Sequence, residues 1–115
     1  MMRFAAMFAV PLTGLALILC PVAQADPNWT PEDWAYTKWL SEYGVNYQGR
    51  VTTNEMMAKA HMVCDALEQN PTTAALVSAR DSIVKQGVLT QDEATKTSYS
   101  AISAYCPQLN NVRIP

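Results

Sequence analysis

The stretch that decides the fold is MMAKAHMVCDAL, residues 56–67. With about 100° of rotation per residue in a helix, one arc of roughly 120° collects most of its apolar side chains. They are Met56, Met57, Ala60, Val63, Cys64 and Leu67. This stripe predicts an amphipathic helix whose inner face, which includes Cys64, packs against the rest of the chain.

The first 25 residues have the pattern of a secretory signal peptide. Arg3 gives a positive start, residues 4–22 are almost wholly apolar, and Ala23-Gln24-Ala25 is a small-x-small cleavage site before Asp26. We therefore expect a cleaved leader, residues 1–25, and a secreted mature chain with no transmembrane segment.

Two other interpretations of this leader stay open. The apolar run approaches the ~20 residues that span a bilayer, so it could serve as an uncleaved anchor. Cys20 could be lipidated, although Leu19 stands where that processing needs a small residue. In the favoured interpretation Cys20 is lost with the leader.

The charge of the mature chain argues against nucleic-acid binding. The whole chain has eight Lys and Arg against ten Asp and Glu, and loss of Arg3 takes the net charge from −2 to about −3. Neutralising phosphates requires a basic patch, and the sequence contains no cluster of basic residues.

Export also predicts a disulfide between Cys64 and Cys106, the two cysteines of the mature chain. Cysteines pair in oxidising compartments. The bond would close a loop of about 43 residues, for which chain entropy gives a stabilisation of roughly 4 kcal/mol. That is a large part of the ~5–10 kcal/mol expected for so small a domain.

Helix-start signals occur four times along the mature chain. Thr30 precedes a proline and is a good N-cap, while Thr52 and Thr90 each open a Thr-x-x-Glu capping box. Either Asn70 or Thr72 caps the remaining helix, and the sequence leaves both open.

Glycine or proline follows each predicted helix, and no stretch alternates with period two for long enough to form a sheet. The sequence therefore predicts an all-α fold, a small four-helix bundle with one disulfide. The helical domain is expected over residues 33–108, after a short segment at 26–32 and before a loose tail at 109–115.

His61, the only histidine, is the main candidate for chemistry. Asp65 and Glu68 follow it at i+4 and i+7 on the same helix, an arrangement compatible with a general base or a metal ligand. Without a second histidine or a free cysteine, a zinc site lacks ligands. The methionines around His61 could suggest haem, but Met62 faces away from the others. We interpret His61 as a rim residue and predict no catalytic residues, metal or cofactor.

Arg80 and the aromatic residues near the start of the mature chain are the candidates for partner contacts. Arg80 lies in the apolar arc of the third helix, where it either receives an anionic group or extends its head into water. Trp29 and Trp34 flank the first helix start as a hydrophobic staple, with Trp34 on the polar face. Three further aromatics of the first helix are expected to point inward. They are Tyr36, Trp39 and Tyr43.

Several of these motifs together resemble the mycobacterial family called domain of unknown function 732. The most specific are Val63-Cys64-x-x-Leu67 and the terminal Tyr105-Cys106-Pro107, supported by Tyr36, Leu40 and Gly44-Val45. The resemblance covers about residues 33–108. Asn70, where the family often has glycine, and Thr37, where it has an apolar residue, are departures that leave the cysteine pair intact.

The resemblance implies a small, exported, helical actinobacterial protein with this cysteine pair, and it transfers no catalytic residues. We therefore expect a non-catalytic binding or structural role in the cell envelope or outside the cell. The expected partner is an envelope or extracellular protein, a glycan or a lipid. The alternative is a ligand-binding, haem-binding or catalytic protein centred on His61.

Overall fold

Four helices joined by short connections form a bundle in the computed structural model, which describes residues 28–115. The helices are α1 Pro31–Glu42, α2 Thr53–Gln69, α3 Thr73–Lys85 and α4 Gln91–Tyr105, and the short 3-10 helix Pro107–Leu109 follows. Residues 28–115 contain no strand, so the predicted all-α four-helix fold is confirmed. The predicted leader lies outside the described residues. No helix in the described part of the chain is long and apolar enough to cross a membrane.

A threonine caps the start of each of the four α-helices by accepting a hydrogen bond from a backbone N–H of the first turn. The capping boxes predicted at Thr52 and Thr90 are present, and Asp33 completes a third box with Thr30. For α3 the cap is Thr72, whose hydroxyl accepts from the N–H of Ala75 at 3.1 Å. These caps satisfy N–H groups that have no partner within the helix.

Helix α4 occupies the centre of the bundle, because it packs against α1, α2 and α3. Its buried side chains are mostly small, which lets the neighbouring helix axes approach closely. They are Ala94, Thr97, Ser98, Ser100, Ala101, Ile102 and Ala104. Ser98 and Ser100 satisfy their buried hydroxyls by donating to the carbonyls of Ala94 and Lys96, each at 2.9 Å.

The predicted disulfide joins Cys64 to Cys106 and is confirmed, with 5.9 Å between the two Cα atoms. Cys64 lies on the inner face of α2, and Cys106 is the C-cap residue of α4. Both side chains are buried. The bond therefore attaches the amphipathic helix of residues 56–67 to the end of the central helix.

One aromatic side chain differs from its predicted position, and another is buried outside any helix. Trp39, expected to point inward, is 37% exposed and packs its ring on Tyr43 at 5.9 Å between centroids. The inner face of α1 is centred on Tyr36 and Leu40, so Trp39, about 60° before Tyr36, falls at its edge. Tyr47 lies in the connection between α1 and α2, yet it is buried and its hydroxyl hydrogen-bonds to that of Thr53 at 2.9 Å. This connection therefore contributes to the core.

The C-terminal residues also lie against the bundle, in contrast to the loose tail expected at residues 109–115. Val112 is buried, and Ile114 packs on the core while its N–H donates to the Tyr99 hydroxyl at 3.0 Å. The Arg113 guanidinium lies 4.8 Å from the centroid of the Tyr99 ring. Hydrophobic periodicity could not predict this packing, because the segment is not an α-helix. Its apolar side chains are nevertheless buried against the bundle.

An arginine in the connection between α1 and α2 braces that connection to α4. The guanidinium of Arg50 donates to both carboxylate oxygens of Glu93, at 3.0 and 2.7 Å, and to the carbonyl of Val88 at 3.2 Å. The hydrogen bond from Arg50, with others from Thr90, outweighs partial burial and lowers the pKa of Glu93 from 4.5 to about 2. Glu93 thus serves both as a helix cap and as the anchor of this loop.

The Glu93→Gln variant tests this brace through its pH dependence. Glutamine keeps the capping box but removes the charge that holds Arg50. Because the folded-state pKa is depressed, the charge stabilises the fold fully above pH 4.5, and this stabilisation is lost as the pH falls from 4.5 toward 2. Urea unfolding across that range should show the wild type more stable at higher pH and the difference closing at low pH. A difference that stays constant across the window would contradict the role of the charge.

Candidate functional site

The two tryptophans at the start of α1 form a pair. The ring centroids of Trp29 and Trp34 lie 4.8 Å apart with an interplanar angle of 66°, an edge-to-face arrangement. The predicted staple is therefore present. It does not cover Trp34, which remains 48% exposed, and the buried indole N–H of Trp29 has no hydrogen-bond partner among the described residues.

The face of α1 that carries Trp34 continues along the helix to Thr37 and Ser41, because residues at i, i+3 and i+7 share one side. At its C-terminal end the face borders an open hollow of about 290 Å³. We call this the α1 hollow; its lining residues are Thr37, Ser41, Gly44, Val45, Asn46, Tyr47 and Gln48. The lining contains hydroxyl and amide groups and no charged side chain.

The end of α1 shapes this hollow. Gly44 adopts a left-handed φ of 79°, a conformation that favours glycine, and its N–H bonds to the Ser41 carbonyl at 3.0 Å. The N–H of Val45 bonds to the Leu40 carbonyl at 2.9 Å, and both of these apolar side chains are buried. This pattern is a Schellman motif, which turns the chain sharply and brings the following loop beside the helix.

His61 is exposed on α2 and packs against Tyr105 of α4, with 4.4 Å between ring centroids. No hydrogen bond or salt bridge among the described residues joins it to Asp65 or Glu68, the partners expected from the sequence. The Tyr105 hydroxyl instead donates to Asp33, the capping residue of α1. Tyr105 therefore links three helices, a role that the sequence signalled only through its place before Cys106.

The ionisation of this group fits a structural link better than acid–base chemistry. Burial acts to raise the pKa of Asp33, but hydrogen bonds from Tyr105 and Thr30 outweigh it and lower that pKa. Burial, and then the hydrogen bond to Asp33, raise the pKa of Tyr105 far above 10. Asp33 is thus a charged acceptor and Tyr105 a neutral donor over the ordinary pH range, and neither is poised to transfer a proton near neutrality.

The described residues provide no group of three or more His, Cys, Asp or Glu side chains that could hold a metal ion. Met56 is fully buried in the core and its carbonyl accepts a hydrogen bond from Tyr36 at 2.8 Å. Met62 is partly buried and borders a shallow groove between α2 and α3. The methionines near His61 therefore lie in different surroundings and do not converge with it on one site.

Arg80 is already paired within α3. Its side chain is 12% exposed, and its Nε and Nη2 atoms both lie near Oδ1 of Asp81, at 3.1 and 3.0 Å. Within residues 28–115, this is the ion pair that Asp81 makes. Arg80 thus lies on a different helix from the tryptophan pair, and its charge is paired with that of Asp81.

A comparison with protein-family models finds a match to the family described as protein of unknown function (DUF732), over residues 32–108. Comparisons with curated proteins and with solved structures find no match. The matched range runs from the first turn of α1 through Cys106 and so includes all four helices.

A Tyr105→Phe variant separates the structural role of Tyr105 from any role of His61. Phenylalanine keeps the ring contacts but removes the donor to Asp33, which should cost roughly 1–2 kcal/mol because Asp33 is a charged but only partly buried acceptor. The His61→Ala variant removes an exposed side chain and should cost less than about 1 kcal/mol. Urea unfolding of both variants gives the comparison. A larger loss from His61→Ala than from Tyr105→Phe would contradict the assignment.

Proposed function

The chain belongs to the DUF732 family of proteins of unknown function, and from that premise we propose that it is an exported, non-catalytic binding protein. It acts in the cell envelope or outside the cell, and the start of α1 is its contact surface. The partner belongs to the envelope or the extracellular space and is a protein, a glycan or a lipid.

The exposure of Trp34 carries this proposal. Within residues 28–115, the large hydrophobic side chains that are exposed are Trp34 and Trp39, both on α1. Trp34 is 48% exposed although Trp29 packs against it, so the indole offers a large apolar surface whose position is already fixed. Tryptophan is enriched among the residues that dominate binding energy at interfaces, and a fixed side chain loses less entropy on binding.

The leader and the disulfide support an exported location. Residues 1–25 have the three parts of a secretory signal, and the mature chain keeps two cysteines, which are paired. A buried disulfide suits an oxidising compartment and is rare in the cytosol. Both features favour action outside the cytoplasm.

The surroundings of His61 favour a role without catalysis. A general base needs a partner that orients it and a substrate proton within reach. The His61 ring packs at a tilt of 46° against Tyr105, whose hydroxyl donates to Asp33. These contacts hold α1, α2 and α4 together. A structural role therefore accounts for His61, Tyr105 and Asp33 without catalysis.

Binding of the exported protein to an envelope preparation, measured for two tryptophan variants, tests the proposal. Trp34→Ala should weaken binding by about 2 kcal/mol, or roughly 30-fold, because it removes the centre of the contact surface. Trp39→Ala is the matched control, since it removes the same type of exposed side chain from the same helix, about 140° around the axis. It should leave binding nearly unchanged.

Circular dichroism and thermal unfolding of both variants show whether the fold is retained at the temperature of the assay. If both variants weaken envelope binding equally, the contact is not centred on Trp34 or is nonspecific. No weakening by a folded Trp34→Ala variant would remove Trp34 from the contact surface.

A further inference from the structure

Several hydrogen-bonding groups of the α1 hollow have no partner within residues 28–115. The hydroxyl of Ser41 and the side-chain amides of Asn46 and Gln48 are on exposed residues, and none takes part in a hydrogen bond among the described residues. Thr37 donates its hydroxyl hydrogen to the carbonyl of Trp34 at 2.8 Å, which leaves its oxygen able to accept. Hydroxyls and amides both donate and accept, so this surface can match a ligand of either polarity.

An apolar platform lies on the same face. Trp34 precedes Ser41 by seven residues, two turns of the helix, which corresponds to about 10 Å along its axis. Trp29 holds the Trp34 indole from one side and leaves nearly half of Trp34 open to solvent. The face therefore presents a flat aromatic ring at one end and a neutral polar hollow of about 290 Å³ at the other.

The chemistry of this face selects among ligand classes. An anionic ligand would require an unpaired cation, yet the lining has no charged side chain. Arg50, which donates to the Asn46 carbonyl beside the hollow, is paired with Glu93, and on the adjoining rows of α1 Lys38 lies 3.9 Å from Glu42. An apolar peptide or an acyl chain gains most from a lining without polar groups, whereas five of the seven lining residues carry a hydroxyl or amide side chain. A neutral sugar chain combines hydroxyl groups with apolar C–H faces, and those faces can lie on an indole ring.

We propose that the α1 hollow and the Trp34 indole together bind a neutral oligosaccharide. This inference rests on the proposed function, because it names the chemical class of the partner of the same surface. One sugar ring lies against the Trp34 indole, and the adjoining sugars exchange hydrogen bonds with Ser41, Asn46 and Gln48. With no charge contribution and an open site, a dissociation constant on the order of 0.1–1 mM is expected, about −4 to −5.5 kcal/mol.

Titration of the exported, disulfide-intact protein with three neutral hexasaccharides tests the inference. The probes are maltohexaose, cellohexaose and mannohexaose, and the comparators are a hexamer of galacturonic acid and phosphatidylcholine vesicles. Amide and indole ¹H–¹⁵N chemical shifts report where each probe binds. At least one neutral probe should shift the Trp34 indole signal together with amides of residues 37–48, and should bind more tightly than either comparator.

Variants then assign the site. Trp34→Ala should weaken binding of the neutral probe at least about tenfold, and Ser41→Ala about threefold, the range of one lost hydrogen bond. Trp39→Ala and Ser78→Ala, an exposed serine of α3, are the matched controls and should bind as the wild type does.

Three outcomes would overturn the inference: no shift with any neutral probe at concentrations well above 1 mM, tighter binding of the acidic hexamer or the vesicles, or equal effects of the Trp34 and Trp39 variants. Failure here can be told from failure of the proposed function. If the neutral probes do not bind but Trp34→Ala still releases the protein from the envelope preparation, the contact surface stands and its ligand is of another class. If the neutral probes bind away from Trp34, the inference falls, and the effect of Trp34→Ala on envelope binding decides the proposed function separately.

Discussion

The disulfide between Cys64 and Cys106 is the constraint on which the rest of the structure depends. It attaches the inner face of α2 to the C-terminal end of α4, across a sequence separation of 42 residues. Since α4 packs against every other helix, this single bond limits how far the whole bundle can open. The core sets small side chains of α4 against larger apolar ones from the other helices, and in so small a domain its total apolar area is modest. A covalent restraint on the unfolded chain therefore has a correspondingly large effect on stability.

The candidate contact surface is connected to that bond through one residue. Tyr105 directly precedes Cys106, and it holds α1 by donating to Asp33 and by packing its ring 5.5 Å from that of Tyr36. The direction in which α1 presents Trp34 is therefore set at the same end of α4 that the disulfide restrains. A binding surface on a short helix needs this kind of support, because a site held loosely loses affinity to the entropy of ordering it.

The sequence was sufficient for the features that depend on local patterns. Helix starts followed from threonine caps, the end of α1 from Gly44, and the disulfide from the two cysteines that follow the predicted leader.

The contacts that the sequence did not reveal join distant segments of the chain. Asp33 and Tyr105 are 72 residues apart, and Arg50 and Glu93 are 43 apart, so no spacing rule connects either pair. The burial of Tyr47 and of the C-terminal segment likewise depends on the neighbours that cover them. Trp39 was misjudged for a local reason, since it lies at the edge of the buried face of α1. The α1 hollow likewise forms only when the loop after Gly44 folds back beside the helix.

The free energy of unfolding of the Cys64→Ala/Cys106→Ala double variant tests the central role of the disulfide most directly. Replacing both cysteines leaves no free thiol, and it removes only the bond and the two buried sulfur atoms. Urea unfolding should show a loss of roughly 2–4 kcal/mol relative to the oxidised wild type, with weaker near-ultraviolet circular dichroism from the tyrosines and tryptophans around α1. A double variant that unfolds at the wild-type midpoint and keeps the full aromatic signal would contradict the account, since the packing of α4 alone would then hold the bundle together.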